Sequence, residues 1–417
     1  MQSTNPAPAS PVSPVSAVAA GGPATDRLTA TLLNLGHALD HLFLLIFATA
    51  VGAIASDFGF ARWEDLMPYS TGAFLMFGLG SVPAGRLGDL WGRRALMVVF
   101  YVGLGASALL AAATQNAWQM AVALTLLGAF ASIYHPVGIP MLVQGAKRPG
   151  ATIGISGLAG NLGIAAAALV TGFLVAYGGW RLAFIVPGVF SILLGAVFAW
   201  AAPSERVAPA RRPKAQVQHS RAVVMRVLAV TTATAVTGSL LFNFTTNGNA
   251  QLLRERFAGL IEDPARLGFL LAAIYAVGAL SQVVVGRLID RYPLKRIFIA
   301  IVVMQAPLFL LSAHAQGWAF YLLAVAYMVS VFSAIPFTDS LIVRYVDDSM
   351  RSRVAGLRLA ISFGISSLAV AALGPVVKAS GFDLLLTLMA AIGALTFCFV
   401  WLLPSSSAAP VEQPRPA

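Results

Sequence analysis

The chain is poor in charge and almost free of cysteine. Asp, Glu, Lys and Arg make up 10% of its 417 residues, against 58% hydrophobic. A water-soluble protein of this length needs far more polar surface to cover two or three domains, so the composition excludes one and makes lipid the solvent. A single cysteine, Cys398, excludes an intramolecular disulfide and a cysteine-based metal cluster. No Gly-x-x-x-x-Gly-Lys-Ser/Thr loop offers backbone amides to nucleotide phosphates, and neither Gly-x-Ser-x-Gly nor His-Glu-x-x-His occurs. These absences argue against an ATP-driven pump and against a hydrolase. The chain reads as a non-enzyme that needs no cofactor.

Acids are scarcer than bases, 16 against 27, giving a net charge of +11. The bases lie in short clusters between apolar stretches, which is the pattern of membrane-protein loops and not of a nucleic-acid surface. Twelve stretches are long enough to span a hydrocarbon core of about 30 Å as helix. Six lie near 29–55, 66–84, 95–113, 118–143, 151–176 and 182–201, and six near 223–244, 267–285, 297–313, 318–343, 354–377 and 382–403. The expected fold is an all-α membrane protein of two six-helix halves, 29–202 and 223–403. A polar Pro/Arg/Lys-rich linker, 203–222, joins them, and Pro/Ala/Ser-rich tails, 1–28 and 404–417, flank them. With the N-terminus inside, 20 bases gather on the cytoplasmic side; only Arg62, Arg181, Arg254, Arg256, Arg266 and Lys378 face the other way, and Arg358 falls inside helix 11. Both termini are therefore expected in the cytoplasm.

The halves repeat one another. Gly85-Arg-Leu-Gly-Asp-Leu-Trp-Gly-Arg-Arg94 joins helices 2 and 3, and Gly286-Arg-Leu-Ile-Asp-Arg-Tyr-Pro-Leu-Lys-Arg296 joins helices 8 and 9; Gly85 to Gly286 and Asp89 to Asp290 are each 201 positions apart. Gly154, Gly172 and Gly179 align with Gly356, Gly374 and Gly381 at an offset of 202. In these loops Gly85 and Gly88 permit a tight helix exit and close packing, while Asp89 is placed to cap a helix N-terminus. The first loop resembles the G-x-L-x-D-x-x-G-R-R/K signature of the major facilitator superfamily. The resemblance implies a secondary transporter with a substrate cavity between the halves. It also implies that Gly85, Asp89 and Arg93 latch the cytoplasmic side, with Gly286, Asp290 and Arg291 as a degraded second latch. Pro293 and Leu294 replace the expected Gly and base there.

Helix 1 carries Asn34, His37, Asp40 and His41 on one face. Asp40 falls about 16 Å into the bilayer, near its centre. An intramembrane carboxylate costs several kcal/mol unless paired or wetted and marks an ion or proton path by default. With two imidazoles beside it, the cluster is expected to couple transport to protons. Two alternatives stand beside that reading. His37, Asp40 and His41 could ligate a transition-metal ion, although one helix turn leaves the coordination incomplete, so no bound metal is expected. They could equally form buried polar glue.

Helix 4 carries Tyr134-His135-Pro136 and Pro140; each proline removes a backbone donor, which makes Tyr134 and His135 candidate cavity groups. Together with Gly36-His37 and Gly160-Asn161-Leu-Gly163, this His-Pro pair is similar to the branch of the superfamily that includes fosmidomycin-resistance exporters. Helix 7 is expected to end, and to unwind, over Asn243-Phe-Thr-Thr-Asn247-Gly-Asn249, with Asn243 and Asn247 offered to substrate beside Asn34 and Asn161. Asp339, Arg344 and Arg358 are read as a cytoplasmic gate. The favoured function is proton-coupled export of a small organic molecule by a monomer in a bacterial-type inner membrane. An importer of a metal ion or organic anion, and a non-transporting membrane sensor, are the alternatives.

Overall fold

The computed structural model describes residues 25–143, 149–203, 221–345 and 348–404, and among them every regular element is a helix. The helices are α1 (Arg27–Asp57), α2 (Thr71–Trp91), α3 (Arg93–Ala112), α4 (Ala117–Ala131), α5 (Ile139–Val143), α6 (Pro149–Gly178) and α7 (Trp180–Ala201) in the first half. The second half holds α8 (Arg221–Arg256), α9 (Pro264–Arg291), α10 (Leu294–Val302), α11 (Gln305–His314), α12 (Gly317–Tyr345) and α13 (Asp348–Trp401). Ten described helical segments are long and apolar enough to cross a membrane. The last of them, 45 residues long, breaks at Gly381 (φ 73°, ψ 177°) and makes two crossings. The 21-residue α2, which carries Arg86 and Asp89, lies where the second of the twelve expected crossings falls and is not among these ten.

The duplication is written in the backbone. Gly59 and Gly259, which follow α1 and α8, have φ of 76° and 75°; Gly179 and Gly381, which separate the fifth crossing of each half from the sixth, have φ of 81° and 73°. Only glycine enters this left-handed region without strain. Trp118 and Trp318 open α4 and α12, Trp200 and Trp401 close α7 and α13, and all four are exposed, as interfacial anchors are. Within the first half α1 packs on α6 and α3 on α7, and in the second α8 packs on α13. Contact between the halves runs along α2 and α13 and along α6 and α9, where Gly172 and Gly268 bring the two backbones together: a Cβ on Gly172 would lie 2.6 Å from the Pro264 carbonyl oxygen.

Helix 1 begins at Arg27, where Asp26 caps it: its Oδ1 accepts from the Thr29 amide at 2.8 Å, a bond that holds the Asp26 carboxyl below its ordinary pKa. Two local expectations change. The Gly85–Arg94 segment is helical through Trp91 and turns on Gly92 alone (φ 92°, ψ 140°), so Gly85 and Gly88 do not form the exit. They let α2 approach the prolyl turn of helix 4 instead; a Cβ on Gly88 would lie 3.0 Å from Val137. The counterpart loop turns at Tyr292 and Pro293, both with negative φ.

Helix 7 neither ends nor unwinds at Asn243–Asn249, because α8 continues to Arg256. Several of the polar side chains there bond back to the helix's own carbonyls. Thr245 and Thr246 hydroxyls donate to carbonyls three or four residues back, and Asn247 Nδ2 donates to the Asn243 carbonyl at 3.0 Å.

Candidate functional site

The ionisable residues of α1 meet the broken helix 4. Pro136 cannot donate a backbone hydrogen bond, and between α4 and α5 the chain widens into a π-turn over Tyr134–Gly138. That turn aims both Tyr134 and His135 at α1. His135 Nε2 stands 3.6 Å from Asp40 Oδ2, and the rings of His37 and Tyr134 stack with centroids 4.6 Å apart. His41 Nε2 lies 3.2 Å from His37 Nε2, while His37 Nδ1 lies 3.0 Å from the Ser156 hydroxyl on α6. The Tyr134 hydroxyl reaches the same Ser156 oxygen at 3.4 Å. Glycine makes the fit possible, for a Cβ on Gly160 would lie 2.6 Å from His37 Nε2.

Asp40 is fully buried and neither of its oxygens has a hydrogen-bond partner among the described residues. The His135 contact is too long for a direct hydrogen bond. A bare buried carboxylate is too costly to persist, so the group is either the neutral acid or the partner of an imidazolium. His135 and His41 are half-buried, which leaves the cluster a route to water. Phe77 and Phe363 frame His135 at centroid distances of 5.8 and 6.1 Å and touch each other at 4.4 Å, which brings the second half to the edge of the site. On the second half, Arg358 Nη1 donates to the Thr338 hydroxyl at 2.5 Å.

The other expected cavity residues do not join this cluster. Asn161 is buried between the halves and donates to Gln282 Oε1 at 2.6 Å, with Gln282 anchored on the Phe332 carbonyl. Asn243 is buried against α13, donating to Ser366 Oγ at 2.7 Å. Asn247 is buried with an unpartnered Oδ1, and so is the Oδ1 of the half-buried Asn34. Of the latch and gate residues, Gly85 packs near Pro136, Gly286 has open space where a Cβ would stand, Arg93 begins α3, and Arg291 ends α9 at the surface. The side chains of Asp89, Asp290, Asp339 and Arg344 lie outside the described set. Sequence reasoning missed Ser156, Phe77, Phe363 and Gln282; only Gly160, within its paired-glycine run, signalled that something packs closely on α6.

At the end of the molecule away from the Gly85–Arg94 loop, the halves are closed on each other. Trp63 stacks on Phe382 at 6.0 Å, Lys378 pairs with Asp65, and a Cβ on Gly374 would lie 2.2 Å from the Glu64 carbonyl oxygen.

Three comparisons place this architecture. A "Probable actinorhodin transporter" of Streptomyces coelicolor is 31% identical over 189 residues, which is 43% of this chain; the match spans about a third, 32%, of that relative. The inward-facing, occupied structure of a bacterial homolog of the human lysosomal transporter Spinster superposes with a TM-score of 0.73 over 92% of this chain and 97% of its own, at 13% identity. The inward-open xylose transporter XylE from E. coli gives 0.74 over 91% and 97%, at 12% identity. At those identities the likeness is one of fold. The Major Facilitator Superfamily profile matches residues 33–257 and 258–417, essentially all of the two six-helix halves, and the chain therefore belongs to that superfamily of membrane transporters working by alternating access.

Proposed function

We propose that the protein is a proton-coupled exporter of a small organic molecule, with Asp40 as the proton-carrying group and His135, His37 and His41 as its partners. The observation that carries this reading is the burial of Asp40 with no hydrogen-bond partner, 3.6 Å from an imidazole on a different helix. A carboxyl so placed changes its electrostatic fit to the site whenever it gains or loses a proton, which is what a coupling group must do. The aromatic bridge Phe77–Phe363 joins the site to the second half, so a change at His135 reaches the surface that moves between inward and outward states. The neutral amides Asn161, Asn243 and Asn247 supply hydrogen bonds to cargo, and Asn34 adds one more group on α1. A relative named for actinorhodin supports an organic cargo over an inorganic ion. The protein works as a monomer in a bacterial-type inner membrane with both termini cytoplasmic, as the loop bases require. Asp89 with Arg93 and Asp290 with Arg291 serve as inner latches, and Asp339, Arg344 and Arg358 as the cytoplasmic gate.

The test is reconstitution into proteoliposomes with a panel of organic solutes and an imposed pH gradient. Wild type is expected to drive solute uphill. Asp40→Asn is expected to lose that activity and keep solute exchange, because Asn retains the shape but not the titratable charge. Uphill transport by Asp40→Asn driven by pH alone would sink the assignment.

A further inference from the structure

We propose that His37, His41 and His135 form a binding site for one divalent transition-metal ion of the zinc class, with Asp40 standing against His135. Residues from one turn of one helix cannot complete a coordination shell. The structure removes that objection, because the π-turn of helix 4 delivers a third imidazole from the opposite side. The ligand nitrogens of His37, His41 and His135 all lie within 4.8 Å of one another. One donor separation already approaches tetrahedral zinc, in which bonds near 2.1 Å put ligand atoms about 3.4 Å apart: His37 Nε2 to His41 Nε2 at 3.2 Å. Asp40 Oδ2, 3.6 Å from His135 Nε2, sets a carboxyl group against the third imidazole.

Independent features point inward at the same place. Both Asp40 oxygens and His135 Nε2 are buried without hydrogen-bond partners, so the site holds acceptors that the protein itself leaves unused. His37 has the support that metal-binding imidazoles have: Nδ1 faces the Ser156 hydroxyl at 3.0 Å, which can accept from Nδ1–H and so holds the ring with Nε2 toward His41. Tyr134 stacks on the ring, and Gly160, having no Cβ, lets α6 close against it. Three imidazoles, with no thiolate, select zinc, nickel or ferrous iron over calcium or magnesium. All three ligands and Asp40 belong to the first half, so the ion does not cross-link the two moving bodies. It excludes protons from the coupling site instead. The proposal stands on ligand geometry, independently of the coupling and direction proposed above.

The experiment is zinc titration by calorimetry, with metal content after dialysis, on protein freed of any affinity tag. Wild type is expected to bind one Zn2+ per chain. His41→Ala and His135→Ala should each lose stoichiometric binding, and Ser156→Ala should weaken it by about 10–100-fold as a positioning residue. His314→Ala, at the end of α11, should bind as wild type. A melting curve for each variant separates lost ligation from lost fold, and Ser156→Ala gives a reading even if a histidine variant fails to fold. Absence of stoichiometric binding by folded wild type, or binding unchanged in folded His41→Ala and His135→Ala, overturns the proposal. Binding is read without transport, so either result leaves the Asp40→Asn test of coupling to be decided on its own.

Discussion

The two halves share a scaffold and divide the chemistry. At the offset of 200 set by Gly59 and Gly259, His37, Asp40 and His41 fall on Thr237, Leu240 and Leu241. At the offset of 200 set by Pro136 and Pro336, His135 falls on Ile335, and α12 passes Pro336 without a π-turn. At the offset of 202 that relates helices 5 and 11, Ser156 falls on Arg358. The second half therefore keeps the turns, the interfacial tryptophans and the crossings, but puts apolar or neutral residues where the first half has its buried acid and imidazoles. Its own polar seam is amide and hydroxyl, Asn243 on Ser366 and Tyr327 on Asn249. Duplication preserves what backbone geometry demands, and each copy is then free to specialise in what its side chains do. In this reading the first half alone handles protons, while the second half contributes hydrogen bonds to cargo together with Asn34 and Asn161.

The sharpest way to break that division is to exchange one counterpart for another. His135→Ile gives the first half the residue of the second. It is expected to abolish pH-driven transport by removing the only partner within 4 Å of Asp40 among the described ion pairs. Retained coupling in His135→Ile, measured as solute uptake under a pH gradient, would show that Asp40 works without it.

A second comparison uses glycines. Gly160→Ala forces a methyl into the His37 ring, whereas Gly364, on α13, has open space where a Cβ would stand. Overpacking of this kind costs about 1–3 kcal/mol, so Gly160→Ala should depress transport roughly 5- to 100-fold, while Gly364→Ala should be neutral or gain up to about 1 kcal/mol in stability from helix propensity. Solute flux and melting temperature read the two effects separately.

Asn247→Ala, in the second half, tests the cargo side. Losing one amide of a polar cavity weakens binding by about 1–2 kcal/mol, so the half-saturating solute concentration should rise roughly 5- to 30-fold with the proton-to-solute ratio unchanged. A changed ratio would place coupling in both halves.

The smallest effect concerns the latches. The first turns on a left-handed glycine and carries the full motif; the second turns on Tyr292–Pro293. A capping carboxylate contributes about 1 kcal/mol, enough to move a balanced equilibrium about fivefold. Asp89→Asn should therefore raise labelling of cysteines placed in the cytoplasmic vestibule more than Asp290→Asn does. Equal effects would show that motif completeness does not rank the latches.

The membrane class, the halves and the repeat were legible because long apolar runs and glycine spacing are local signals. So was the α1 face, since 100° per residue puts His37 next to His41 without any knowledge of the fold. What helix 4 contributes was half legible: Pro136 announced a distorted helix, but the direction in which a π-turn aims His135 depends on packing against α1 and α6. Ser156 carried no signal, being one small residue in a helix of small residues. The run Asn243–Asn249 misled because Asn-Gly terminates helices in water, whereas here Ser239, Ser366 and neighbouring carbonyls accept the amides and the helix runs on.

The most direct measurement of the division between halves is solute-driven proton movement in proteoliposomes carrying an internal pH probe, recorded side by side for wild type, Asp40→Asn and Asn243→Ala. Wild type and Asn243→Ala are predicted to move protons when solute is added, the latter with weaker affinity, while Asp40→Asn exchanges solute and moves none. Proton movement by Asp40→Asn, or its loss in an Asn243→Ala protein that still exchanges solute, would contradict the account.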